Sequence, residues 1–223
     1  MANARDTVYG ELRRRLMSGA FLPGQRLREE HIATEMSVSR TPVRAAIQQL
    51  VADGLVKLEE RRGAVVVGWT DRDITEAFEV RALLESYAAG IAALNATAAQ
   101  IEQLEALNEA MSAAIHSQRD DRIERVQQLN NQFHHLLVDA AHSAQVRTLL
   151  GNFLDMPIII GSFYFYSDDD MLTSVAHHSH IISAVRSRNR SLAETAMRLH
   201  LGATHTLFRN QRTEKQEAPK LSS

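Results

Sequence analysis

Only one stretch of this sequence reads as sheet, and its position restricts what the whole chain can become. Leu55-Val56-Lys57-Leu58 and Ala64-Val65-Val66-Val67 are β-prone runs separated by the charged turn Glu59-Glu60-Arg61-Arg62-Gly63, the pattern of a hairpin. Short helical segments precede it. Val8, Leu12 and Leu16 recur at i, i+4 and i+8, which predicts a helix over 6–18. Leu22-Pro23-Gly24 breaks the chain, a helix over 29–36 buries Ile32, Ala33 and Met36, and Ser37-Val38-Ser39 turns it again. Ser39 stands where its hydroxyl caps the next helix, and Pro42 is tolerated in that first turn, where the N–H it lacks has no intrahelical partner. This third helix carries Val43, Ala46, Ile47 and Leu50 on one face and stops at Asp53-Gly54. Three short helices followed by a hairpin is the order of a winged helix-turn-helix.

From Asp71 the chain turns to long alanine- and leucine-rich helical runs with no further strand signal, predicted over 71–94, 98–117, 120–141, 144–155, 158–166, 170–188 and 191–210. The fold class is therefore mainly α, an N-terminal winged helix-turn-helix followed by an all-helical bundle domain. The expected boundaries are 1–69 for the first domain, 70–212 for the second and 213–223 for a polar, disordered tail. A length of 223 residues with 44% apolar side chains is enough for a core in each.

Charge separates the two parts. Residues 1–69 hold 11 basic against 8 acidic side chains, a net charge of +3, while the remainder holds 14 against 19, a net charge of −5. A basic domain joined to an acidic one fits a chain in which only the first meets a polyanion. Cysteine is absent, so any metal must be held by His, Asp, Glu or Asn. The N-terminus lacks the apolar core of a signal peptide, and no stretch approaches the roughly 20 apolar residues of a membrane helix. A cytoplasmic protein without membrane association is expected.

Reading DNA requires a helix that enters the major groove with long polar side chains on its leading turns. Arg40, Thr41 and Arg44 occupy that place in the third helix, with Arg40 and Arg44 one turn apart. One of the two serves a phosphate and the other a guanine, in an order the sequence leaves open. Arg61 and Arg62, beside Gly63 at the hairpin tip, are placed for a phosphate strand or the minor groove.

In the second domain, polar residues interrupt apolar stripes. Arg81 shares a face with Ile74, Ala77, Phe78, Leu84, Ala88 and Ile91, and such an arginine must be paired. Glu85, one turn on, is one partner, and the carboxylate of a small effector is the other reading. Asn130 and His134 lie one turn apart among Val126, Phe133 and Leu137, His180 accompanies Ile181 and Ala184, and His200 follows Ala193, Ala196 and Met197. Three imidazoles and an amide thus point at one interior, the way a helical core holds a metal. A lone inward histidine is more often a hydrogen-bonded core residue. His177 rivals His180 for the same face, and His135, His142 and His178 read as surface residues.

The run from Leu16 to Val66, with LPGQRL, VSRTPVR, LVADGLV and RRG in order, resembles the DNA-binding domain of the GntR family of bacterial transcription regulators. The resemblance implies DNA contacts from Ser39, Arg40, Thr41 and Arg44 and wing contacts at Arg62 and Gly63. Glu30 stands where members often carry a basic residue, and Ser37 where glycine is usual. The later segments EVRALLE, NNQFHHLL, HIISAV and AMRLHL are similar to the FCD effector domain of the FadR-type branch. That similarity implies a divalent metal, zinc or nickel, at Asn130, His134, His180 and His200, and an effector-facing Arg81. Asn130 replaces the more usual aspartate, leaving a neutral ligand set that an anionic effector would complement.

The implied protein is no enzyme. It is a sequence-specific regulator whose affinity for a palindromic double-stranded operator responds to a small organic acid, and which acts as a homodimer because each head covers one half-site. A metal-dependent hydrolase with an appended DNA-binding domain is the alternative, but no HExxH motif is present and neither Asp139 nor Glu194 shares the histidine stripe. A purely architectural DNA binder would leave the inward polar residues without a purpose.

Overall fold

The computed structural model describes residues 4–17, 20–68, 70–154, 163 and 166–217. The chain divides into two compact units, Met1–Thr70 and Asp71–Ser223.

The first unit contains α1 (Ala4–Met17), α2 (Glu29–Glu35), α3 (Arg40–Ala52), β1 (Val56–Glu59) and β2 (Gly63–Val66). Val8 and Leu12 of α1 are fully buried with Val43, Ala46 and Leu50 of α3. The Tyr9 hydroxyl donates to Asp53 at 2.7 Å, tying α1 to the end of α3. Between α2 and α3, Ser37 adopts φ 55°, a left-handed conformation that costs a residue with a Cβ more than it costs glycine. The turn is closed by the Val38 N–H on the Ala33 carbonyl at 3.0 Å. Ser39 follows in an extended conformation at the N-cap of α3, but its exposed side chain makes no capping hydrogen bond. The expected hydroxyl cap is therefore absent, and the preceding turn sets the entry into α3.

Both strands of the hairpin lie one residue nearer the turn than expected. Gly54 has φ 71°, and the Leu55 N–H bonds back to the Leu50 carbonyl at 3.0 Å, so Leu55 closes the end of α3 and does not start a strand. The ladder then pairs Val56 with Val66 and Glu59 with Gly63. Gln25 to Leu27 runs along the other edge of β2, where Leu27 donates to Ala64 and Gln25 accepts from Val66, both at 2.9 Å. Alternation over so short a segment gives no strand signal.

The second unit is built from α4 (Asp71–Asn95), α5 (Ala98–Ile115), α6 (Arg122–Ala140), α7 (Ala144–Leu154), α8 (Asp168–Arg186) and α9 (Arg190–Glu217). Thr97 with Gln100 and Ser167 with Asp170 form capping boxes that define the starts of α5 and α8. Near the start of α4, Phe78 stacks on His205 with centroids 4.9 Å apart. Near its end, a Cβ at Gly90 would clash with the side chain of Glu194. The two helices are therefore antiparallel neighbours, and Ala89, Ala92 and Ala93, all with no exposed surface, allow the close approach. Leu104, Phe133, Leu137, Ile181, Val185 and Met197 complete the core.

The helix expected over 158–166 lies outside the described residues, apart from Phe163 and Tyr166. Helix α9 continues to Glu217, past residue 213 where the tail was expected to begin. Among the described residues no helix is long and apolar enough to cross a membrane.

Candidate functional site

Two clusters of polar side chains stand out, one on the surface of the first unit and one inside the second. On α3, Val43, Ala46, Ile47 and Leu50 face the core, which leaves Ser39, Arg40, Thr41, Arg44 and Gln48 exposed on the opposite side. Of these, Arg40, Arg44 and Gln48 border a groove of about 700 Å³ that also takes in Arg26, Arg28, Glu29, Glu30 and Gly63. Arg62, at the hairpin tip, donates to the Gly24 carbonyl at 3.0 Å, and Gly63 permits the tip with φ 71°. All six residues expected to contact DNA are thus exposed in the first unit. Two acidic residues had not been assigned a part. Glu29 accepts from Arg44 Nη2 at 2.9 Å and from Arg40 Nη2 at 3.3 Å, and Glu30 accepts from Arg40 Nη1 at 2.9 Å. The hydrogen bond from Arg44 holds the Glu29 carboxyl below the usual range.

The interior cluster centres on His134, His178 and His200, all buried, whose nearest donor atoms lie within 4.8 Å of one another. His134 comes from α6, His178 from α8 and His200 from α9. Asn130, one turn before His134, is also buried. Both nitrogens of His178, the Nδ1 of His200 and the Oδ1 of Asn130 have no hydrogen-bond partner among the described residues. Buried polar atoms are nearly always satisfied, so these unpaired ring nitrogens and this amide oxygen mark a place where a ligand would fit. Burial and neighbouring imidazoles push the pKa of His178 and of His200 well below the ordinary value, which keeps both neutral at pH 7 and able to donate lone pairs.

His180 is not part of this cluster. It lies on the exposed face of α8, whereas His178, expected at the surface, is fully buried and stacked on Phe133 at 3.9 Å. The buried stripe of α8 runs through Met171, Ser174, His178, Ile181 and Val185. Two residues correspond to roughly 200° around a helix, so one stripe cannot contain both histidines. Following the stripe back to Met171 and Ser174 would have selected His178 from the sequence. His177 is half-buried with its ring edge-on to His200, centroids 5.8 Å apart.

Arg81 and Glu85 complete the site. Arg81 Nε donates to Glu85 Oε1 at 2.6 Å, and the other oxygen of Glu85 meets His134 Nδ1 at 2.5 Å. Burial by itself would raise the Glu85 pKa, but the Arg81 charge and the contacts of Arg81 and His134 with the carboxylate outweigh it and hold the group at about 2. The ion-pair reading of Arg81 is thus realised. Arg81 also lines a cavity of about 10 Å³ together with Gln127, Asn130 and His134, room for about one water. With Nδ1 engaged by Glu85, Nε2 is the nitrogen of His134 left for a metal, the arrangement in which a carboxylate orients a metal-binding imidazole. Three imidazoles and an amide oxygen suit a borderline divalent metal such as zinc or nickel.

Known proteins share both units. The profile of the bacterial regulatory proteins of the gntR family matches residues 4–66, and that of the FCD domain matches residues 76–203. The chain belongs to the GntR family of bacterial regulators, with an FCD domain. It is 30% identical to the uncharacterized HTH-type transcriptional regulator YdhC of Bacillus subtilis, over 86% of this chain and 85% of that one. It is 30% identical to the gluconate operon transcriptional repressor of the same organism, over 83% and 76% of the two chains. Among solved structures, E. coli McbR/YncC shares the fold with a TM-score of 0.67 at 19% identity, covering 95% of this chain and all of that one. As a GntR-family protein with an FCD domain, the chain is a DNA-binding transcription regulator, and the hydrolase alternative finds no support in these relatives.

Proposed function

We propose that this regulator reads a palindromic operator as a homodimer, through Ser39, Arg40, Thr41 and Arg44 on α3 and Arg62 and Gly63 on the hairpin. Its DNA affinity is set by a small organic acid bound in the second unit beside a divalent metal. Asn130, His134, His178 and His200 hold the metal, which supplies a Lewis-acidic centre for an anionic ligand. Arg81 meets the ligand carboxylate, and Glu85 holds both Arg81 and the ring of His134 in place. A ligand changes DNA affinity only to the extent that it binds one arrangement of the protein better than the other.

The observation that carries this reading is the set of unpaired buried polar atoms on His178, His200 and Asn130, with His134 grouped with the two histidines and lining a cavity with Asn130 and Arg81. A purely architectural helical domain has no use for them and bears the full cost of their burial. One relative is named for repressing a gluconate operon, and gluconate belongs to the proposed class of small carboxylates. Leu83, Tyr87 and Leu94 on α4, and Leu192 and Leu199 on α9, are exposed large side chains on two neighbouring helices and offer an apolar face to a second copy.

The test begins by selecting duplexes from a random library with the purified protein. Mobility shifts on the winning duplex are then measured with zinc, with nickel and with chelator, across a panel of small organic acids. The expected outcome is a preferred palindrome whose affinity changes with one acid only when metal is present. Unchanged affinity in every combination would refute the sensing role, and the absence of any preferred duplex would refute the regulator reading.

A further inference from the structure

The groove in front of α3 contains carboxylates where a phosphate-binding surface is weakened by them. Glu29 and Glu30 sit among Arg26, Arg28, Arg40 and Arg44. Each cation placed against the DNA backbone adds affinity through counterion release, and each carboxylate subtracts from it. An acid in this position lowers general DNA affinity and must confer something else.

The bonding pattern indicates what. Glu29 accepts from Arg44 Nε at 3.1 Å and from Arg44 Nη2 at 2.9 Å, a bidentate grip on one edge of the guanidinium. Arginine has five N–H donors, so this grip leaves the end-on pair, Nη1 and the second hydrogen of Nη2, uncommitted. That pair matches the O6 and N7 acceptors of guanine. The same carboxylate reaches Arg40 at 3.3 Å, and Glu30 takes Arg40 Nη1 at 2.9 Å. The side chain of Glu29 is 27% exposed, against 54% for Arg40 and 59% for Arg44. The acid is the anchored member and the arginines are the reaching ones.

We propose that Glu29 and Glu30 form a specificity filter for DNA reading. Glu29 is a positioning residue that holds Arg44 end-on toward a base edge, and the two carboxylates together weaken contacts that any phosphate could make. The inference rests on the reading of α3 as the DNA-reading helix and adds the residues that determine its selectivity. A lone phosphate meets arginines already neutralised by Glu29 and Glu30. A correctly placed guanine finds an arginine whose side-chain entropy has already been lost.

The test uses the full chain and two duplexes, the one selected by the wild type and a scrambled version, with binding followed by fluorescence anisotropy over a series of KCl concentrations. Glu29→Gln is expected to bind the scrambled duplex more tightly, to lower the ratio of selected to scrambled affinity by about tenfold or more, and to steepen the salt slope by about one. Glu29→Asp keeps the charge but withdraws the carboxylate by one methylene, and is expected to lower the ratio without steepening the slope. Glu30→Gln is expected to steepen the slope with a smaller fall in the ratio.

Arg44→Ala separates the two layers of the argument. If wild type prefers a duplex and Arg44→Ala loses that preference while Glu29→Gln, Glu29→Asp and Glu30→Gln match wild type in ratio and slope, the filter is overturned and the DNA-reading helix stands. If wild type prefers no duplex, both fall. Thermal melting of each variant accompanies the titrations. Should Glu29→Gln melt early, Glu29→Asp and Glu30→Gln decide the outcome, and wild-type ratio and slope in both would overturn the filter.

Discussion

The two polar clusters use the same residue types in opposite surroundings. In the first unit the Arg and Glu side chains are exposed, each ion pair is screened by water, and the pairs add little to stability. In the second unit Arg81 and Glu85 are 3% and 1% exposed and the histidines are buried with them. Removing one partner there leaves a charge with no solvent to receive it. The surface cluster can thus be retuned by substitution with little effect on folding, whereas the interior cluster links ligand binding to the stability of its whole unit.

The sharpest break in this comparison is expected from Glu85→Gln. It should cost about 3 to 5 kcal/mol of unfolding free energy in urea denaturation, against about 1 kcal/mol or less for Arg44→Ala. Equal losses from the two variants would mean that burial does not distinguish the clusters. Metal provides the next largest effect. Zinc or nickel at a hundredfold excess over its dissociation constant should stabilise the protein by about 2.7 kcal/mol, and chelation should reverse the gain. His178→Ala should abolish that response in thermal melts, while His180→Ala should retain it, and the opposite result would return His180 to the site.

Smaller effects belong to the first unit. Tyr9→Phe removes the bond to Asp53 and should cost about 1 kcal/mol at pH 7. Burial first, and then the hydrogen bond to Asp53, raise the Tyr9 pKa to about 12 from 10. In this pH range the folded state retains a proton that the unfolded state releases, so the Tyr9 contribution is complete below pH 10 and is lost as pH rises toward 12. Tyr9→Phe should therefore unfold with a shallower alkaline dependence than wild type. Ser37→Gly should relieve the left-handed strain at the helix-turn-helix turn and stabilise by about 1 kcal/mol. A loss of stability in that variant would show that the Ser37 side chain contributes more than its backbone costs.

Much of this was legible before any coordinates. The helix periods, the hairpin and the exposed face of α3 follow from local patterns, because a 3.6-residue period and a Pro or Gly break need no distant partner. His134, His200 and Arg81 were recognised because each interrupts an apolar stripe. The placing of His180 inward and His178 at the surface failed on a stripe read from Ile181 and Ala184 alone, and the capping hydroxyl of Ser39 was not realised because the preceding turn determines how α3 begins. Glu29 escaped notice because its partners lie 11 and 15 residues away on another helix.

Among the described residues, the amino-acid order alone determined most of the helical segments, the approximate place of the hairpin and which faces carry arginine outward, since each of these depends on interactions within a few residues. Tertiary packing decided which histidine turned inward, that Glu85 joins Arg81 to His134, and that Glu29 grips two arginines of α3. Those contacts bring together side chains from separate helices, and a distance of about 3 Å between them exists only after the helices have docked.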